Sequence, residues 1–312
     1  MWFKQIQYFH LKTSLPYQAD YLSQALANLA FEPCLPSLPL GMGFIPPLQN
    51  NDEEEAPLVH AANGYMMLCL QVEEKILPST VVRQALQERI KIIEQTQKRK
   101  VPYKEKQALQ SDIISTLLPR AFSRFKQIYA YIDTKRDCLI LNTVHPKEVG
   151  YFLNSWKKVL PDHGLFLPEL KDLNYVLTHW VQHHSYPQSF EIDKACVLQD
   201  PSQQSRTIRC QQQNLSATPI QSLLTDGCQV KQLALTWQER VSFTINSEFM
   251  IRSLDFQDKL QSSDAGDAQT EQQQFDVDFI LMTQAVAELM TDLIAVLSKS
   301  QALQEQGEAI QV

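Results

Sequence analysis

Residues 78–125 read PSTVVRQALQERIKIIEQTQKRKVPYKEKQALQSDIISTLLPRAFSRF, and this stretch decides the fold. Pro78 closes an extended region, and Ser79 or Thr80 offers a side-chain oxygen that can cap a helix over residues 81–97. Val82, Leu86, Ile90 and Ile93 recur at threes and fours, which draws one apolar stripe along that helix. Pro102 ends it, because proline drives the residue before it out of helical geometry. A second helix over residues 103–118 follows, with Leu109, Ile113, Ile114 and Leu117 as its apolar face, and Pro119 stops it. The pattern predicts a helical hairpin with a basic tip, inserted between strands as a protruding arm.

Charge sets this stretch apart. From Lys75 to Lys126 there are twelve Lys or Arg (Lys75, Arg83, Arg89, Lys91, Lys98, Arg99, Lys100, Lys104, Lys106, Arg120, Arg124 and Lys126) against four Asp or Glu, a local excess of +8. The 312-residue chain carries a formal net charge of −7, so the remainder holds −15. A charge run is often no more than a solvated helix face. Against that reading, an acidic body repels a polyanion, which leaves the basic stretch as the surface where nucleic acid can dock.

Outward from the arm, both flanks read as sheet. Asn63-Gly64 is a hairpin signal that tolerates positive φ, within extended segments over 58–77. Strands are expected at 2–10, 121–133 and 138–143, with helices at 21–30 and at 146–160, the latter opening on a proline. Residues 32–47 read as a Pro-rich loop with room for one short strand, followed by the acidic run 52–55. The second half predicts helices at 173–184 and 214–225 and strands at 190–199, 206–212, 229–239, 241–245 and 250–255. Residues 258–274 read as a polar, acidic surface loop, and 276–298 as a helix carrying Phe279, Met282, Val286, Leu289, Leu293 and Leu297. Runs of strands with segregated helices define an α+β class with mixed sheets. The expected division is a central α/β domain of 1–77 with 122–170, a basic arm of 78–121, and a C-terminal α+β domain of 171–312.

Motif chemistry is sparse. With eight glycines the chain has no GxGxxG, GxxxxGK[ST] or GxSxG pattern, so no enzyme and no cofactor is expected. Six cysteines without a CxxC pair read as reduced thiols, mostly buried. His179 and His183 share a helix face without a third ligand, and Asp276 and Asp278 read as carboxylates meeting the start of the last helix. No apolar run approaches the roughly 20 residues of a membrane span, and MWFKQIQYFH lacks a secretory layout, so a cytoplasmic protein without membrane contact is expected. Phe122, beside Arg120 and Arg124, can stack on bases, wedge a duplex, or fill a core or subunit contact.

Trp2-Phe3-Lys4, Glu73-Glu74-Lys75-Ile76-Leu77-Pro78-Ser79, residues 117–125, Leu233-Ala234-Leu235 with Trp237, and Phe275-Asp276 with residues 278–283 follow one another in an order and spacing that resembles the bacterial recombination-associated RdgC family. The resemblance runs over nearly the whole chain. It implies a ring-shaped homodimer joined at both ends, with a basic hole for double-stranded DNA, non-specific binding to duplex and single strands, and restraint of the RecA recombinase. It places the protein with the nucleoid and puts Phe122 at a subunit contact that closes the ring. Gln211-Gln212-Gln213 departs from the family pattern, which has a lysine near Gln212. The alternative reading is an acidic interaction module that binds recombination proteins directly and touches DNA incidentally.

Overall fold

A computed structural model of the chain describes residues 1–48, 56–170, 172–257 and 271–309. In chain order the first half comprises β1 (Ile6–Leu11), α1 (Ala19–Ala27), β2 (Leu40–Ile45), β3 (Val59–Ala62), β4 (Tyr65–Ile76), α2 (Ser79–Gln97), α3 (Tyr103–Leu117), β5 (Phe122–Asp133), β6 (Cys138–Leu141) and α4 (Pro146–Val159). The second half comprises β7 (Leu165–Phe166), α5 (Leu173–His183), β8 (Phe190–Asp200), β9 (Gln203–Gln211), α6 (Thr218–Thr225), β10 (Gln229–Trp237), β11 (Val241–Asn246), β12 (Met250–Phe256) and α7 (Glu271–Ala309). The α+β class is as expected. The expected mixed sheets are not found: the twelve strands form one sheet, ordered β2-β4-β5-β6-β1-β12-β11-β10-β8-β9, with β3 on β4 and β7 on β1. Every strand pairing in it is antiparallel, and β1 with β12 joins the two halves through only Ile6↔Ile251 and Gln7↔Met250.

Helices cover the strands of the first half on both faces. On one, Leu22 and Leu26 of α1 and Phe152 and Trp156 of α4 pack on Phe9, Met66, Leu68, Leu70, Ile128 and Leu139. On the other, Phe279, Val286, Leu289 and Leu293 of α7 join Trp180 of α5 over Tyr65, Met67, Tyr131, Ile140, Leu233 and Phe243. Double coverage explains why Tyr65–Leu70 is apolar without alternation, since strands buried on both faces read as continuous hydrophobic runs. The Asn63-Gly64 turn forms as predicted, with φ of 49° and 88°, and links β3 to β4.

Several local expectations are corrected. Ser79 does not cap α2 but is its first residue, while Pro78 holds the N-cap position in extended geometry. Residues 271–274 are helical rather than loop, since Glu and Gln are good helix formers and Gln274 bonds Asp278 one turn on, at 3.1 Å. The rest of that loop, 258–270, and the acidic run 52–55 lie outside the described residues. Because α7 starts early, Asp276 and Asp278 are a turn inside it. Asp276 lies 2.9 Å from His60 Nε2, and Asp278 pairs with the amino group of Met1 at 3.2 Å, so neither stands at the start of the helix as a cap. Helix α6 starts at Thr218, later than residue 214. Contrary to the sequence reading, Gln272–Lys299 is by length and composition apolar enough to cross a membrane, and half of its most apolar stretch is buried in the core.

Candidate nucleic-acid interface

Strands β4 and β5 run side by side from Tyr65↔Asp133 to Ile76↔Phe122, and the helical hairpin grows from the far end of this ladder. Pro78 opens α2, Lys98 ends it in left-handed geometry at φ 50°, and Pro102 opens α3. Val101 is the buried plug of the turn, and its N–H donates to Glu94 at 3.3 Å. A 3-10 turn, Leu118–Arg120, returns the chain to β5. With 19 residues, α2 is about 28 Å long, so tip and root are well separated.

The predicted cations fall into two groups along this arm. At the tip, Lys98, Lys100, Lys104 and Lys106 are exposed, and no ion pair engages them among the described residues. Arg99 is held by Glu105 in a bidentate pair at 2.7 and 2.8 Å. Arg89 and Lys91 lie exposed along α2, and Arg83 and Arg120 lie exposed at the root, again without an ion pair among the described residues.

The remaining three cations are engaged. Arg124 bonds Glu74 at 2.9 Å and Lys126 bonds Glu148. The Lys75 side chain is only 12% exposed, donates to Ser123 Oγ at 2.9 Å and sits 3.7 Å from Glu73. Phe122 is 86% exposed, which removes the option that it fills the core of its own chain. Phe125 beside it is 57% exposed, as are Ile76 and Val81 to a lesser degree. Gln212 stands outside β9 at φ 53°, exposed to solvent.

Sequence reasoning missed the α4 side of the root. Lys147 and His145 come from the start of α4 and, with Tyr151, Glu74, Arg124 and Lys126, line a cavity of about 440 Å³. Lys147 bonds Glu74 and lies 5.7 Å from the Tyr151 ring centre. Donation by Lys147 and then by Arg124 holds the Glu74 carboxyl below its ordinary range. Burial works to raise the Glu148 pKa, but Lys126 and Thr143 outweigh it and the net shift is downward. Nothing in the local sequence of α4 marks Lys147, since it joins the root only through the fold.

Elsewhere, the rings of His179 and His183 lie 4.6 Å apart and tilted by 48°. Among the described residues no group of three or more His, Cys, Asp or Glu is placed to hold a metal ion.

Fold and site together define an α+β protein whose single antiparallel sheet carries a cation-bearing helical hairpin. Residues 1–300 match the family model described as "Putative exonuclease, RdgC". Curated relatives named "Recombination-associated protein RdgC" include that of Halorhodospira halophila, 34% identical over 94% of this chain and 97% of its own. Those of Pseudomonas putida strain GB-1 (33% identical, 95% of this chain and 97% of its own) and Serratia proteamaculans (34%, 95% and 98%) are similarly close. The chain belongs to the RdgC family, of recombination-associated proteins. The family model's description names a nuclease activity, whereas the relatives' names state a process and no catalysis.

Proposed function

We propose that this chain binds DNA without reading its sequence, encircles the duplex as a ring-shaped homodimer, and restrains RecA by occupying the DNA on which it acts. Duplex and single strands are both ligands, and the site of action is the nucleoid in the cytoplasm. The carrying observation is the arm: Arg83, Arg89, Lys91, Lys98, Lys100, Lys104, Lys106 and Arg120 are exposed and have no ion pair among the described residues, on a chain of net charge −7. Free cations concentrated on one projection attract phosphate, while the acidic remainder keeps DNA from settling elsewhere. Phosphate contacts carry no base information, so affinity is uniform across sequences. The reading assigns binding and no hydrolytic step.

The test is a salt titration of binding to unrelated duplexes, with wild type and the Lys98→Glu/Lys100→Glu double variant. Each neutralised phosphate adds about 0.9 to the log–log salt slope, so loss of two contacts lowers it by roughly 2 and weakens all sequences alike. An unchanged affinity and slope overturn the assignment, and absence of binding by wild type at low salt favours the acidic interaction module. Strand cleavage on adding magnesium or manganese would instead support the nuclease description.

A further inference from the structure

Cys196 of β8 and Cys210 of β9 are direct partners in the antiparallel ladder. Residues opposite one another in such a ladder have Cα atoms about 4.5 or 5.5 Å apart, and both spacings lie within the roughly 4.4–6.8 Å window of a disulfide. The two side chains lie on the same face of the sheet, as opposed residues must. Both are free thiols. Their surroundings differ. Cys196 is 3% exposed inside the core, whereas Cys210 is 9% exposed and lines a cavity of about 680 Å³ with Ile208, Arg209, Pro219 and Leu223. Strand β9 is the end of the sheet, so Cys210 sits where solvent and small solutes arrive first.

We propose that Cys196 and Cys210 form a reversible oxidation site, in which a small hydroperoxide enters the β9 cavity, oxidises Cys210, and leaves a cross-strand disulfide. The Cys210 thiolate attacks one peroxide oxygen: an S–O bond forms, the O–O bond breaks, and the departing hydroxide takes up the proton that Cys210 gave, as water. The Cys196 sulfur then attacks the sulfenic sulfur: the S–S bond forms, the S–O bond breaks, and the hydroxyl leaves with the Cys196 proton as a second water. Two thiols lose two electrons, and one hydrogen peroxide is reduced to two waters. Desolvation pushes the Cys196 thiol up to about 12, which keeps it protonated and leaves the more accessible Cys210 as the first nucleophile. The other four cysteines lack this arrangement. Cys69 and Cys138 are buried with their thiols raised to about 12, and Cys34 and Cys228 are half-buried. The bond ties the edge strand to its neighbour and closes a short loop, which constrains the unfolded chain.

The experiment uses the reduced full-length protein, hydrogen peroxide and a cyclic 1,3-diketone that traps sulfenic acids. In wild type, peptide mapping should recover a Cys196–Cys210 cross-link that a thiol reductant reverses, with a rise in Tm of roughly 5 °C. In Cys196→Ser the diketone should label Cys210, and in Cys210→Ser it should leave Cys196 unlabelled while circular dichroism shows both variants folded. A wild-type protein that stays folded in peroxide yet yields no cross-link, or yields a different pair, overturns the proposal. So does diketone labelling of Cys196 in folded Cys210→Ser.

Discussion

Glu73 on β4 is 5% exposed, and three groups keep its carboxylate ionised there. Ser123 Oγ donates to it at 2.5 Å, the Cys34 N–H donates at 2.7 Å, and the Lys75 ammonium lies 3.7 Å away. Donation by Ser123, and after it by Cys34, lowers the pKa of Glu73 from its ordinary value. A carboxyl whose folded pKa is depressed contributes stability that is present above the unfolded pKa and lost as pH falls through the folded one. Glu73→Gln therefore removes about 1 kcal/mol at pH 7, and the gap from wild type closes as the solution is acidified below the ordinary carboxylate range. Urea unfolding of both proteins at pH 7 and in acid checks it, and a gap independent of pH argues against this role. Lys75 belongs to the same cluster. Its charge was legible in the sequence, but its engagement was not, because Ser123 lies 48 residues away across the ladder.

The hairpin is the element whose sequence was most legible and whose packing is thinnest. Both helices and the proline breaks could be read from periodicity, yet among the described residues of the arm only Val82, Val101 and Leu118 are buried. Leu86, Ile90 and Ile93 form the stripe as read, but they face a single partner helix and stay half-buried. Few buried apolar contacts mean a low free energy of local opening. Amide exchange should accordingly be fast throughout α2 and α3 and slow in β4 and β5; equal protection would contradict it. Because Ile76 and Phe122 are paired across the ladder, replacing residues 78–120 with a short turn should leave the sheet folded, with unchanged near-ultraviolet dichroism, while DNA affinity is lost. What the sequence did not disclose at this scale is non-local. The merging of both halves into one sheet rests on two residue pairs between β1 and β12, some 245 positions apart, and no periodicity encodes such a pairing. The early start of α7 was hidden for a different reason: Gln and Glu at 271–274 suit a polar loop as well as a helix.

For the whole molecule, the net charge of −7 makes the balance between carboxylates and phosphates the deciding quantity. Glu74 holds both Arg124 and Lys147, and Glu148 holds Lys126, so a phosphate must displace a carboxylate to reach any of these three root cations, whereas Arg83 and Arg120 at the root have no ion pair among the described residues. At the tip only Arg99 is so engaged among the described residues. Affinity in the proposed complex is therefore weighted to the tip, while the root holds cations in reserve. Glu74→Gln releases two of them and removes one repelling charge, and because exposed ion pairs are weak the gain should be modest: about fivefold tighter duplex binding at low salt, with a steeper salt slope. Phe122→Ala separates this electrostatic part from assembly. A ring closed by Phe122 requires the substitution to weaken self-association by roughly 2 kcal/mol, while the 86% exposed ring leaves the stability of the single chain within about 0.5 kcal/mol. Sedimentation of both variants beside wild type decides the matter. Tighter binding by Glu74→Gln at unchanged oligomeric state, and weaker binding by Phe122→Ala only where the dimer is lost, is the pattern a closed ring demands; a monomeric wild type that binds as tightly as any dimer would exclude it.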